Sequence, residues 1–192
     1  MASTGLKLFM VLLGSKAPSR NVEQHDYFFG VATSLKELVP AFRAFWPEAG
    51  NSLHIDGWRE VTYVDGYSVE VYEKDPADIS QHDKRLFFVN LGGYTEGKLE
   101  EQHYTLLSVW DDKAQAVQQS KKVPFFKEST IAKVKGANAH IDEKYGIDVD
   151  DVYRIEDIWK AAEKNNYGIR LTAALELPQD EIHLGYFRLE KL

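Results

Sequence analysis

The sequence predicts an α+β fold of mostly antiparallel, roll-like sheets: a strand-strand-helix-hairpin unit written twice, with an extra C-terminal helix and hairpin. Three observations predict it. Two spaced sets of identical residues recur in the same order along the chain. Each half places apolar runs of strand length around one helical pattern, which favours helices against an antiparallel sheet over a doubly wound parallel fold. Asp65-Gly66, between two alternating runs, is a preferred pair for a tight hairpin with positive backbone φ.

Leu6 to Leu13 is a nearly continuous apolar run ended by Gly14, the pattern of a strand buried on both faces, and Arg85 to Leu91 is its counterpart. Tyr27 to Ala32 and Tyr104 to Trp110 read as second strands, although Asn21-x-x-Gln24 is also a helix-capping pattern. Ser34-Leu35-Lys36-Glu37 is a capping box. It opens a helix whose apolar stripe runs through Leu35, Leu38, Val39, Phe42, Phe45 and Trp46, with Pro40 as an expected kink. Asp112-x-x-Gln115 opens the second helix, expected to be more exposed because Gln118, Gln119, Lys121 and Lys122 dilute its apolar face.

Leu53 to Val64 and Tyr67 to Tyr72 form the first hairpin around Asp65-Gly66. Val152 stands where that Gly would recur, so the second hairpin must be reshaped, and Ile155 to Asn165 is expected to run into an extra helix through Ile158, Trp159 and Ala162. Ile169 to Leu177 and Ile182 to Leu189, joined by Pro178-Gln179-Asp180-Glu181, are expected to complete the second sheet.

The repeat has two offsets. Leu8-Phe9, Val11 and Leu13-Gly14 are answered by Leu86-Phe87, Val89 and Leu91-Gly92, and Glu23-Gln24-His25 by Glu101-Gln102-His103, all 78 residues on. His54-Ile55-Asp56 is answered by His140-Ile141-Asp142, and Asp65/Tyr67 by Asp151/Tyr153, now 86 residues on. One insertion of eight residues within Lys127 to Asn138 reconciles them. The expected layout is a first unit at residues 1–73, a polar, Pro-containing linker at 74–83, and a second unit with its extension at 84–192.

Lys7-Leu8-Phe9-Met10-Val11-Leu12-Leu13-Gly14, Glu23-Gln24-His25-Asp26 and His54-Ile55-Asp56-Gly57-Trp58-Arg59-Glu60-Val61 together resemble the domain of unknown function 1543 family. That resemblance implies one or two copies of this unit and no known activity. The second copy departs at Glu143 and Lys144, where the first has Gly57 and Trp58.

Composition narrows the function. A formal charge of −7 without a Lys/Arg cluster argues against a phosphate-tracking, nucleic-acid-binding surface. Zero Cys excludes a disulfide framework, a thiolate nucleophile and a Cys-type zinc site. Leu8 to Leu13 is too short for a signal-peptide core, and no apolar run approaches the roughly twenty residues of a spanning helix, so no membrane association and a cytoplasmic location are expected. Gly-x-Ser-x-Gly and His-Glu-x-x-His motifs and the dinucleotide fingerprint do not occur.

The candidate polar site is the repeated pairs Glu23/His25 and His54/Asp56, with Glu101/His103 and His140/Asp142 as their mates. Their two-residue spacing puts each pair on one face of an extended backbone. Imidazoles beside carboxylates can bind Zn²⁺ or a similar ion, or pair as a base with its orienting acid; they also form purely structural networks. Gly14, Ser15, Lys16 and Arg20 form a candidate anion loop, without P-loop spacing. The four Trp are read as core. The expectation is a non-enzymatic binding module of two pseudo-equivalent units, taking a small ligand or a protein partner and assembling as a homodimer, with no cofactor. The alternative is a metal-assisted hydrolase using Glu23, His25, His54 and Asp56 or their repeat mates, with His25, His54 and Asp56 as the ligands of any divalent ion.

Overall fold

The computed structural model describes residues 5–75, 83–94, 99–122 and 147–192. It is an α+β protein of antiparallel sheets with few helices. The chain divides into two compact units, residues 1–80 with 158–192, and residues 81–157.

In the first unit β1 (Lys7–Ser15) is the centre of a sheet ordered β10-β3-β1-β2, with β2 (Gln24–Ala32), β3 (His54–Glu60) and β10 (His183–Arg188). The apolar run predicted for β1 is buried on both faces, Leu8 through Val11 all being buried. Phe9, Val11 and Leu13 look into a core that also takes Phe28, Leu38, Phe42, Ile55 and Leu189. Phe28 meets Phe42 edge-on, ring centroids 5.0 Å apart. A 3-10 turn (Leu35–Leu38) leads into α1 (Val39–Phe45). Pro40 lies in the first turn of α1, where its missing N–H costs nothing, so it does not produce the expected kink. The capping box is also displaced. Ser34 makes no side-chain cap, and Glu37 instead accepts from the backbone N–H and hydroxyl of Thr33.

The hairpin turn forms at Asp65 and Gly66, with φ of 51° and 84°. Its arms are shorter than the sequence pattern: β4 (Tyr63–Val64) pairs with β5 (Tyr67–Glu73), while β3 belongs to the other sheet. β9 (Tyr167–Ala173) pairs along the whole of β5, giving the order β4-β5-β9. The expectation that the C-terminal strands complete the second sheet is therefore overturned. Among the described residues β9 instead extends β5 and β10 extends β3. The predicted extra helix is two short ones, Ile155–Ile158 and Ala161–Asn166.

In the second unit β6 (Arg85–Tyr94) lies between β7 (Glu101–Trp110) and β8 (Ile147–Arg154). Helix α2 (Lys113–Ser120) is capped by the Asp112 carboxylate accepting from the Gln115 N–H, as its capping pattern predicts. Phe87, Val89, Leu91, Ala116 and Val152 form the core.

The ladders of the two units match in register. Leu13 faces Asp26 and Gly14 faces His25; Leu91 faces Tyr104 and Gly92 faces His103, each 78 residues on. The third strands match differently. β3 sets His54 opposite Gly14 and Ile55 opposite Leu13; β8 sets Asp148 opposite Gly92 and Val149 opposite Leu91, an offset of 94. The expected 86-residue correspondence is thus overturned at the strand. Asp148, not His140, holds the position of His54. Asp65 sits in a turn, whereas Asp151 sits inside β8 opposite Asn90, because Val152 does not favour the positive φ that Gly66 takes. His140, Asp142, the insertion segment 127–138 and most of the linker lie outside the described residues.

Candidate metal centre in the first unit

Gly14 is the pivot of the site. As the next-to-last residue of the central strand it faces His25 of β2 on one side and His54 of β3 on the other. A Cβ at Gly14 would lie 2.3 Å from Asp56 Oδ2 and 2.6 Å from His54 Nε2, so only glycine leaves room for these two side chains.

Asp56 arrives there through a β-bulge. Gly57 pairs with Leu12 and Ile55 with Leu13, leaving Asp56 as an extra residue on β3. On the other side of β3, Leu184 and Phe187 bracket the same irregularity, so Gly185 and Tyr186 of β10 face the lone Asp56. The bulge shifts the inward phase of the strand from Ile55 to Trp58, and Asp56 joins His54 on the face away from the core.

Four side chains meet there. His54 Nε2 lies 2.9 Å from Glu23 Oε1 and 3.2 Å from Asp56 Oδ1, and His25 Nε2 lies 2.9 Å from Asp56 Oδ2. Glu23, His25 and Asp56 offer ligand atoms all within 4.8 Å of one another. The His54 side chain is 4% exposed, whereas those of His25 and Glu23 are 44% and 41% exposed. The site is therefore buried at its floor and open at its mouth.

The hydrogen atoms of His54 give the cluster its character. Nδ1 lies 2.8 Å from the Ser52 carbonyl oxygen, which only accepts, so the ring proton resides on Nδ1. In the neutral ring, Nε2 then carries a lone pair facing two carboxylate oxygens. Despite the short separations, neither His54 Nε2 nor Asp56 Oδ2 has an aligned hydrogen-bond partner. With the ring neutral these acceptors would repel one another, and a cation among them would remove that repulsion. A second imidazole N–H donated to a backbone carbonyl is the usual outer-shell support of a metal-bound histidine. Tetrahedral coordination at about 2.0–2.2 Å places neighbouring donors about 3.3 Å apart; the His54–Glu23, His54–Asp56 and His25–Asp56 pairs lie at 2.9–3.2 Å, while the Glu23, His25 and Asp56 set spans up to 4.8 Å.

Supporting contacts come from several elements. Tyr186 lies against the His54 ring, with centroids 4.2 Å apart and planes at 33°. Ser15, expected in an anion loop, is instead the fully buried last residue of β1, its hydroxyl 2.7 Å from that of Ser52. Ser52 in turn donates to the Ala49 carbonyl. This chain holds the carbonyl that fixes His54. Gly14 likewise belongs to β1, leaving only Lys16 and Arg20 of that set exposed in the following turn. Local sequence patterns did not identify Ser52, Tyr186 or the bulge as parts of the site, because each acts through long-range pairing or a backbone atom.

In the second unit the described contacts of the matching histidine are different ones. His103 Nδ1 lies 3.4 Å from the Asn90 amide nitrogen, and its Nε2 is 4.0 Å from Glu101 Oε2. Of the Trp residues, Trp46 and Trp58 pack on the first core and Trp110 on the second, and Trp159 is buried. His183 stacks on Trp58 at 4.0 Å. Among the described residues no helix is long and apolar enough to cross a membrane.

Residues 20–71 match the family model described as Domain of Unknown Function (DUF1543), a stretch that contains Glu23, His25, His54 and Asp56. No curated protein matches the chain significantly. Among solved structures, the crystal structure of a protein Il1583 from Idiomarina loihiensis is similar at 25% identity and a TM-score of 0.59, covering 96% of this chain and 97% of that one. The likeness to the family thus lies in the segment that carries all four donors, while the likeness in fold extends over nearly the whole chain.

Proposed function

We propose that this chain is a binding module whose ligand in the first unit is a divalent first-row transition metal, held by His25, His54 and Asp56 with Glu23 beside them. The observation that carries this reading is the buried His54 Nε2, which faces two carboxylates without an aligned hydrogen-bond partner while Nδ1 of the same ring contacts the Ser52 carbonyl. Two imidazoles with carboxylates suit Zn²⁺, Fe²⁺, Mn²⁺ or Ni²⁺ better than Mg²⁺ or Ca²⁺. Elemental analysis of tag-free protein purified without added metal, followed by calorimetric titration with Zn²⁺, tests it. About one ion per chain is expected, lost in His54→Ala and Asp56→Ala. An apo protein that takes up no Zn²⁺ at micromolar concentration would sink the proposal.

A second reading, metal-assisted hydrolysis, is favoured by the open mouth of the site. His25 and Glu23 leave a solvent side on which water or substrate can join the ion, as catalytic rather than structural sites require. When bound, the ion would lower the pKa of that water, and Glu23 is placed to accept its proton. Metal-loaded protein would then cleave activated ester or phosphodiester probes. Glu23→Gln would lower the rate by about 100-fold or more while keeping the metal. Equal rates in the two proteins would remove Glu23 from that role.

A further inference from the structure

We infer that, of the two matching ladders, only the first holds a transition-metal centre, and that the residue paired with the central-strand glycine, His54 in the first unit and Asp148 in the second, decides it. This rests on the metal reading of the first unit and adds a specificity determinant to it. The two ladders present the same backbone stage. Gly92 occupies the place of Gly14, flanked by His103 as Gly14 is by His25. Glu101 precedes His103 by two residues, as Glu23 precedes His25. Val149 and Asp151 pair with consecutive residues of β6, so Asp150 is the extra residue of a bulge and occupies the place of Asp56.

Only the buried imidazole position differs in kind. Where the first unit has His54, the second has Asp148 opposite Gly92. By residue type, the four register positions change from two His, one Asp and one Glu to one His, two Asp and one Glu. That shifts preference away from first-row transition ions, whose affinity imidazole supplies. Loss of an outer-shell partner alone weakens metal binding by about 10–100-fold, so losing a ligand should weaken it by at least that much.

Zn²⁺ titration of the full, tag-free chain tests this with Asp148→His, His54→Asp and the double variant, each checked for folding by circular dichroism and denaturant midpoint. The wild type is expected to bind one Zn²⁺ tightly. His54→Asp should bind none with comparable affinity, Asp148→His should bind two, and the double variant one. His54→Asp tests the second unit without altering it: an ion still bound tightly to that variant overturns the inference, even if Asp148→His does not fold. Two tight ions in the wild type, or one in folded Asp148→His, also overturn it while leaving the first-unit centre intact. No tight ion in the wild type removes both.

Discussion

At the scale of single residues, the site depends on an absence. Gly14 has no positive φ to explain it; its glycine is a matter of space, since a Cβ would intrude on both Asp56 and His54. Gly14→Ala is expected to destabilise the chain by about 1–3 kcal/mol and to weaken Zn²⁺ binding at least tenfold. Chemical denaturation and calorimetry on the same sample would check both. His54→Ala separates structural from metal-dependent contributions. In EDTA it is expected to cost about 1–3 kcal/mol by emptying a buried site and stranding the Ser52 carbonyl. With Zn²⁺ at a hundred times the Kd, the wild type gains a further 2.7 kcal/mol or so that the variant lacks. An unchanged midpoint in EDTA would show that the imidazole has no structural role. The sequence made His25, His54, Glu23 and Asp56 visible as spaced polar pairs. It did not show that Gly14 keeps their space or that Ser52 orients His54, because neither role leaves a side-chain motif.

At the scale of elements, local chemistry was readable where neighbouring residues determine it. The apolar β1 run, the Asp65-Gly66 turn and the Asp112 cap all appear where their patterns lie. The third strand of the second unit was misread because three identical residues, His140-Ile141-Asp142, gave a stronger textual match than Asp148-Val149-Asp150. Strand pairing to Gly92 selects the latter. Register is a tertiary property, and a shift of eight residues leaves no local trace. The first capping box was displaced for a different reason: the helix begins as a tight 3-10 turn, so Glu37 reaches Thr33 rather than Ser34. The Thr33 hydroxyl and backbone N–H hold the exposed Glu37 carboxyl below its ordinary pKa. A depressed folded-state pKa stabilises the fold above the ordinary carboxylate range, and that contribution is lost as pH falls through the folded value. Thr33→Val should therefore raise the Glu37 pKa toward its ordinary value and shrink the acid-side loss of stability. Carboxyl-carbon NMR titration would measure it, and an unmoved Glu37 would refute the Thr33 hydroxyl as the main cause.

At the scale of the molecule, the first unit is closed by a segment from the far end of the sequence. β9 lies along β5 and β10 along β3, while Leu189 enters the core and Arg43 pairs with Glu190 at 2.8 Å. Nothing in residues 1–73 signals these partners, because strand edges carry no sequence address. The connection ahead of β10 is pinned by Asp180, whose side chain is fully buried. Its Oδ1 accepts from the backbone N–H and hydroxyl of Thr62, at 3.0 and 2.6 Å, and Arg59 stands 3.9 Å from Oδ2. A buried carboxylate with only partial pairing is costly unless these donors hold it, so Asp180→Ala strands the Thr62 donors but also removes that burden. Two lost hydrogen bonds to a charged group outweigh it, and a net destabilisation of about 1–3 kcal/mol is expected. Because Asp180 anchors the approach of β10, and Tyr186 of β10 covers the His54 ring, the variant should also loosen the site. Hydrogen exchange would register this as faster exchange of β3 and β10 amides with β6 and β7 unchanged, and Zn²⁺ affinity would fall. Uniformly faster exchange in both units would mean that the two unfold as one body, and the anchor would then be a determinant of global stability rather than of the site.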